Sequence, residues 1–158
     1  MDALSAYLPS HPGLLPKWLL LVSAVSVANS IQCYLTTTFT ARVYNGSPTA
    51  STPPTPKTRS ASKNPKTSTS PVTPLSSRTF GTWTFLSSVI RLYAAYYTSD
   101  PRVYELAFAT YAIAWGHFML EWWVYGSARW GPGLGSPVVV SSTSLVWMWV
   151  QWGFYVKA

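Results

Sequence analysis

The chain has 158 residues, of which 9% are charged and 16% aromatic, with nine tryptophans, ten tyrosines and a formal net charge of +7. Soluble chains carry roughly 25% charged residues, so this is not the composition of an ordinary soluble domain; it fits a bilayer protein whose amphipathic rings sit at headgroup level. The mean hydropathy of +0.14 averages apolar blocks with one very polar tract, and much of the positive charge lies in that tract, so topology explains the basic balance better than nucleic-acid binding.

Four segments are predicted to cross a bilayer as helices, for which about 20 residues at about 1.5 Å rise suffice. The first, residues 17–37, follows Pro9, Pro12 and Pro16, and Pro16 suits a helix start. Its apolar run is longer than a usual signal-peptide core and contains Asn29 and Gln32, so it reads as a retained span. The single Cys33 cannot form an internal disulfide and reads as a small buried hydrophobe, which says nothing of redox compartment.

Residues 47–72 form a Ser/Thr/Pro/Lys-rich tract almost free of large apolar side chains. Such a tract cannot bury enough surface to offset chain entropy and is predicted to be a disordered loop. Thr52, Thr55, Ser70 and Thr73 each precede proline, and an unmodified tether is the simpler reading of these dipeptides.

The second, third and fourth spans are predicted over residues 80–97, 104–125 and 138–156. Asp100-Pro101 and the Gly126 to Pro137 stretch mark the breaks between them. The fold class is therefore all-α integral membrane: a single membrane domain, built as a four-transmembrane-helix bundle with a disordered loop between its first two helices. Arg42, Lys57, Arg59, Lys63, Lys66, Arg78 and Arg129 lie on the long-loop side, against Lys17, Arg102 and Lys157 on the other. Lys and Arg collect in cytosolic loops, which predicts a cytosolic long loop and lumenal termini. Glycan on the sequon Asn45-Gly46-Ser47 would refute that orientation.

Ionisable groups at the centre of a span cost about 2.5 to 3.5 kcal/mol or more, so each needs a partner or a route to the surface. Asn29 with Gln32, and His117 with Glu121, are spaced to share a helical face. All four fall in the half nearer the long loop, with Thr82, Ser87, Ser88, Ser141, Ser142 and Ser144, and a polar seam among the helices is expected there. Arg91 is expected to snorkel toward the opposite surface and pair with Glu105. Tyr93, Tyr96, Tyr97 and Tyr104 are expected to form one interfacial belt, and Trp83, Trp122, Trp123 and Trp130 the other.

Two readings compete for His117 and Glu121: polar glue that sets helix register, or an acid/base pair acting on a lipid, with Trp115, Trp122 and Trp147 lining an apolar pocket. The residues favour glue. One His and one Glu do not make a zinc site, and the chain has no phosphate-binding glycine loop, no G-x-G-x-x-G and no CxxC, so no metal or cofactor is expected.

The strings LPKWLLLVSAVSVANSIQCY, TPLSSRTFGTWTFLSSVIRLYAAYY, YELAFATYAIAWGHFMLEWWVYGSARWGPGL and LVWMW, in this order, resemble the ergosterol biosynthetic protein 28 family in a fungal form. The likeness covers nearly the whole chain outside the polar tract. It implies a noncatalytic four-span scaffold of the endoplasmic reticulum membrane that tethers the sterol C-4 methyl oxidase, the 3β-hydroxysteroid dehydrogenase/decarboxylase and the 3-keto sterol reductase, with the sterol C-24 methyltransferase as a further neighbour. It supplies no catalytic residue. Its recurrent positions here are Asn29, Gln32, Arg42, Arg78, Gly81, Trp83, Arg91, Tyr93, His117, Glu121, Tyr125 and Gly126, read as structural or partner-facing. A membrane sterol isomerase using Glu121 and His117, or a sterol-binding module without turnover, remains the alternative.

Overall fold

The computed structural model describes residues 7–46 and 70–156, and every regular element within them is helical. The predicted disordered tract lies outside the described residues except for residues 70–72. The helices are Leu15–Leu35 (α1), Thr38–Val43 (α2), Pro74–Tyr96 (α3), Pro101–Trp123 (α4), Pro132–Val150 (α5) and Trp152–Tyr155 (α6).

Each long helix begins with proline in its first turn, where the missing N–H would have had no intrahelical partner. Thr73 and Ser76 form a capping box ahead of α3, and the Asp100 carboxylate accepts from the amides of Arg102 and Val103 ahead of α4. These caps explain why α3 starts at Pro74 rather than near residue 80. The expected break from Gly126 to Pro137 is also shorter than predicted. Pro132 opens α5 and Pro137 lies inside it, with the carbonyl of Pro137 accepting from Ser141 Oγ at 2.8 Å. At the other end the fourth segment stops at Val150 rather than running to 156, and α6 follows as a separate turn.

Among the described residues two helices, α1 and α5, are long and apolar enough to cross a membrane. The expectation of four is met in helix number but not in hydropathy, because serine, threonine, tyrosine and charged residues dilute α3 and α4.

The closest helix pair is α1 with α3. Ser23 Oγ donates to the carbonyl of Ser88 at 2.7 Å, Ser30 Oγ to that of Gly81 at 2.7 Å, and Ser77 Oγ to that of Cys33 at 2.9 Å. The paired numbers run in opposite directions, so the two helices are antiparallel. Small side chains let backbones approach closely enough for such bonds, each worth about 0.6 kcal/mol in a bilayer setting but directional. Helix α4 packs on α3, and α5 on α4.

The interior divides into two apolar clusters. One, near the chain ends, joins Leu15, Leu19, Ala94, Ala95, Tyr104, Ala107, Tyr111, Met148 and Tyr155; the other, near the polar tract, joins Cys33, Val43, Phe80, Ala114, Phe118, Leu134 and Val138. Tyr104 was expected in an interfacial belt but is fully buried, and its hydroxyl donates to the carbonyl of Met148 at 2.7 Å. Tyr93, Tyr96 and Tyr97 are exposed at that end. Of the expected tryptophan belt, Trp122, Trp123 and Trp130 are exposed, whereas Trp83 turns inward with its ring edge-on to Phe80.

Candidate functional site

Two polar features stand out, and the predicted site residues distribute between them and the surface. The first is a clasp at the polar-tract end. His117, half-buried on α4, has its Nε2 2.6 Å from the Tyr44 hydroxyl and its Nδ1 3.9 Å from Glu121 Oε1. Burial raises the Tyr44 phenol above its ordinary pKa, with the Glu121 carboxylate and then Cys33 adding to the shift. The phenol therefore stays protonated; the Glu121 carboxylate on the Nδ1 side favours the tautomer with its proton there, in which the Tyr44 hydroxyl donates to Nε2. The other Glu121 oxygen, Oε2, accepts from Ser127 Oγ.

Backbone bonds extend the clasp. The amide of Ala128 donates to the carbonyl of Glu121 at 3.2 Å, that of Gly46 to the carbonyl of Ser127 at 2.8 Å, and that of Arg129 to Asn45 Oδ1 at 2.9 Å. A side chain at Gly46 would run into the backbone of Gly126 and Ser127, so glycine is required at this crossing. His117 and Glu121 thereby lock the segment after α2 onto the loop after α4. Tyr44 and Ser127 escaped the sequence reading because both lie in segments without helical periodicity.

Neither Asn29 nor Gln32 joins this clasp, contrary to the expected seam. The inward face of α1 is Leu15, Leu19, Val22, Ser23, Ser26, Ser30 and Cys33. At about 100° per residue, Gln32 points away from it and is exposed, while Asn29 lies at its edge. Thr82 also faces outward, where its hydroxyl lies 2.6 Å from that of Tyr34.

The second feature is a cavity of about 350 Å³ between the two apolar clusters. It is bordered by Trp18, Val22, Val25, Ser26 and Asn29 of α1, Phe39 and Val43 of α2, Phe80, Trp83, Ser87 and Arg91 of α3, Tyr111, Ala114 and Phe118 of α4, and Pro137, Val140 and Ser141 of α5. It exists because α1 and α5 do not pack along their lengths. One end of the gap is closed by Trp18, whose Nε1 donates to Ser144 Oγ at 2.9 Å. At the other end Gly133 of α5 abuts the backbone of Arg42 and Val43. The lining tryptophans are Trp18 and Trp83, not the expected Trp115, Trp122 and Trp147.

Arg91 points into the bundle and is 7% exposed. It does not pair with Glu105, which is exposed near the start of α4. Instead Nε donates to Thr110 Oγ1 at 3.1 Å and Nη2 to the Thr110 carbonyl at 3.3 Å, while the guanidinium lies 4.0 Å over the Tyr111 ring. The inward position follows from the spacing of Ser87, Ser88, Arg91, Ala94 and Ala95, all on the buried face of α3. Among the described residues no three His, Cys, Asp or Glu side chains are grouped to hold a metal.

The family model described as Erg28 like protein matches residues 15–146. The chain is 45% identical to "Ergosterol biosynthetic protein 28" of Candida albicans over 94% of this chain and 92% of the relative. It is 43% identical to the protein of that name in Saccharomyces cerevisiae, over 90% and 83%, and 33% identical to the human "Ergosterol biosynthetic protein 28 homolog", over 86% and 83%. No solved structure matches the chain. The chain belongs to the Erg28 family.

Proposed function

We propose that this chain is a noncatalytic membrane scaffold of ergosterol biosynthesis, spanning the endoplasmic reticulum membrane four times. It holds the sterol C-4 methyl oxidase, the 3β-hydroxysteroid dehydrogenase/decarboxylase and the 3-keto sterol reductase side by side, with the sterol C-24 methyltransferase adjacent. The names of its relatives connect the family to ergosterol biosynthesis and are not enzyme names. The observation that carries the scaffold reading is the clasp: His117 and Glu121, the best candidates for acid/base work, are engaged by Tyr44 and Ser127 and are absent from the cavity lining.

The outer surface supports the membrane reading. All four long helices present large apolar side chains outward, such as Leu21 and Ile31 on α1, Phe85 and Leu86 on α3, Leu106 and Ile113 on α4, and Val139 and Val146 on α5. A ring of outward apolar residues on every helix suits lipid or neighbouring membrane helices rather than water. At about 1.5 Å per residue, the 23-residue helices α3 and α4 reach about 34 Å, enough for a bilayer core. The excess of Arg and Lys on the polar-tract side favours a cytosolic tract and lumenal termini.

Tethering sequential enzymes raises the effective concentration of each intermediate for the next step without chemistry by the tether. Deleting the chain in fungal cells should make C-4 methylated sterols accumulate while each enzyme, solubilised and assayed alone, keeps its activity. Loss of one enzyme's intrinsic activity, or a purified chain that converts a sterol by itself, would overturn the reading.

A further inference from the structure

The cavity between α1 and α5 contains a positive charge and no acid among the residues that line it. Two of the Arg91 nitrogens are engaged by Thr110, but Nη1 has no hydrogen-bond partner among the described residues. A lone buried cation in an apolar bundle is costly unless something neutralises it. A second defect adjoins the first. The hydroxyl of Tyr111, whose side chain is 1% exposed, has no hydrogen-bond partner among the described residues. Ser144 stands beside it without a hydrogen bond to it, its own hydroxyl donating to the Val140 carbonyl at 2.7 Å and accepting from Trp18 Nε1.

One oxyanion accepting from Arg91 Nη1, and from the Tyr111 hydroxyl once that side chain turns toward the cavity, would remove both defects. Two donors and one positive charge match a carboxylate, with two oxygens and a single negative charge; a phosphate carries more of each. Beyond this end the walls are mainly apolar, with Val22, Val25, Phe80, Trp83, Ala114 and Phe118, interrupted by Ser26, Asn29, Ser87 and Ser141. The eleven steps from Phe80 to Arg91 rise about 16 Å along α3. The opening lies sideways, between α1 and α5, where Leu21 and Val25 are 55% and 52% exposed. A ligand would enter from the lipid rather than from water.

We propose that this cavity receives a membrane-dissolved sterol carboxylic acid, its carboxylate on Arg91 and Tyr111 and its ring body against the aromatic wall. The carboxylate half of the proposal stands on the cavity alone; the sterol body rests on the function proposed above. Oxidation of a sterol methyl group supplies such an acid and decarboxylation consumes it. The scaffold would thus hold the charged intermediate inside the membrane between the two enzymes.

The test is ligand titration of the full-length chain in phosphatidylcholine nanodiscs, read by fluorescence of the cavity tryptophans Trp18 and Trp83. The probes are a sterol carboxylic acid, the same sterol with methyl in place of carboxyl, and palmitate. The acid should bind saturably, at least tenfold tighter than either control. Arg91→Gln should weaken acid binding tenfold or more and leave the methyl sterol little changed, whereas Arg91→Lys should restore part of it. Tyr111→Phe, which removes one oxygen, should weaken acid binding several-fold. Val25→Trp should obstruct entry while leaving Arg91 in place, so it reports on the cavity even if the arginine variants fold poorly.

Equal binding of acid and methyl sterol, absence of saturable binding, or an Arg91→Gln protein of unchanged affinity would overturn the proposal. Palmitate bound as tightly as the sterol acid would overturn the ring-bodied occupant. Recovery of the partner enzymes with the chain is a separate readout, so failure of ligand binding and failure of the scaffold reading can be told apart.

Discussion

Ser30 Oγ donates to the carbonyl of Gly81 at 2.7 Å, at a point where a Cβ on Gly81 would stand 3.0 Å from the Cβ of Cys33 and 3.2 Å from the Ser30 carbonyl oxygen. The absence of a side chain at Gly81 therefore sets how closely α1 and α3 can approach. Gly81→Leu should push the helices apart at a cost of about 1 to 3 kcal/mol, typical of overpacking, seen as a lowered unfolding midpoint in detergent. Gly81→Ala should cost less, since a shift of a few tenths of an ångström accommodates one methyl. An unchanged midpoint in Gly81→Leu would mean that the helices do not meet there.

Gly133 makes the corresponding contact between α5 and α2, but against backbone. Its Cβ would collide with the carbonyl of Arg42, and a carbonyl cannot rotate away as a flexible side chain can. Gly133→Ala should thus destabilise more than Gly81→Ala does, by the same thermal measurement.

Tyr44→Phe removes the hydrogen bond to His117, and Glu121→Gln removes the carboxylate that accepts from Ser127. Either should cost about 1 kcal/mol and should raise hydrogen exchange at the amides of Gly46 and Ala128, which the clasp protects. Exchange confined to other amides would show that the His117–Glu121 pair does not hold this segment.

Trp18→Phe deletes the indole donor to Ser144 at one end of the gap between α1 and α5. Spin labels at exposed positions on those two helices should then report a broader distance distribution near the chain ends. Labels on α1 and α3, held by three serine-to-carbonyl bonds, should not change.

The helical class and the approximate helix positions were legible because apolar blocks, prolines and caps are local signals. The Thr73-Pro74 cap was also local, but hydropathy placed the start of that segment near residue 80 and missed it. Pairings were less legible. Spacing put Asn29 with Gln32 on one face, but which face of α1 turns inward is decided by its contact with α3, and serines took that role. Arg91 pairs with Glu105 in the sequence reading because both lie toward the same membrane surface; the fold offers Thr110 and the Tyr111 ring, about one and a half turns further along α4. The clasp was half visible, as His117 and Glu121, because its other half comes from irregular segments around Tyr44 and Ser127.

The central claim is that this chain organises sterol enzymes rather than acting on sterols. Affinity purification of the tagged, full-length chain from fungal membranes in a gentle detergent, with quantitative identification of what accompanies it, tests that claim most directly. The account predicts recovery of the C-4 methyl oxidase, the dehydrogenase/decarboxylase and the 3-keto reductase in constant proportion to the chain, and no conversion of C-4 methylated sterols once the chain is stripped of them. Recovery of the chain without these enzymes, or sterol turnover by the stripped chain, would contradict it.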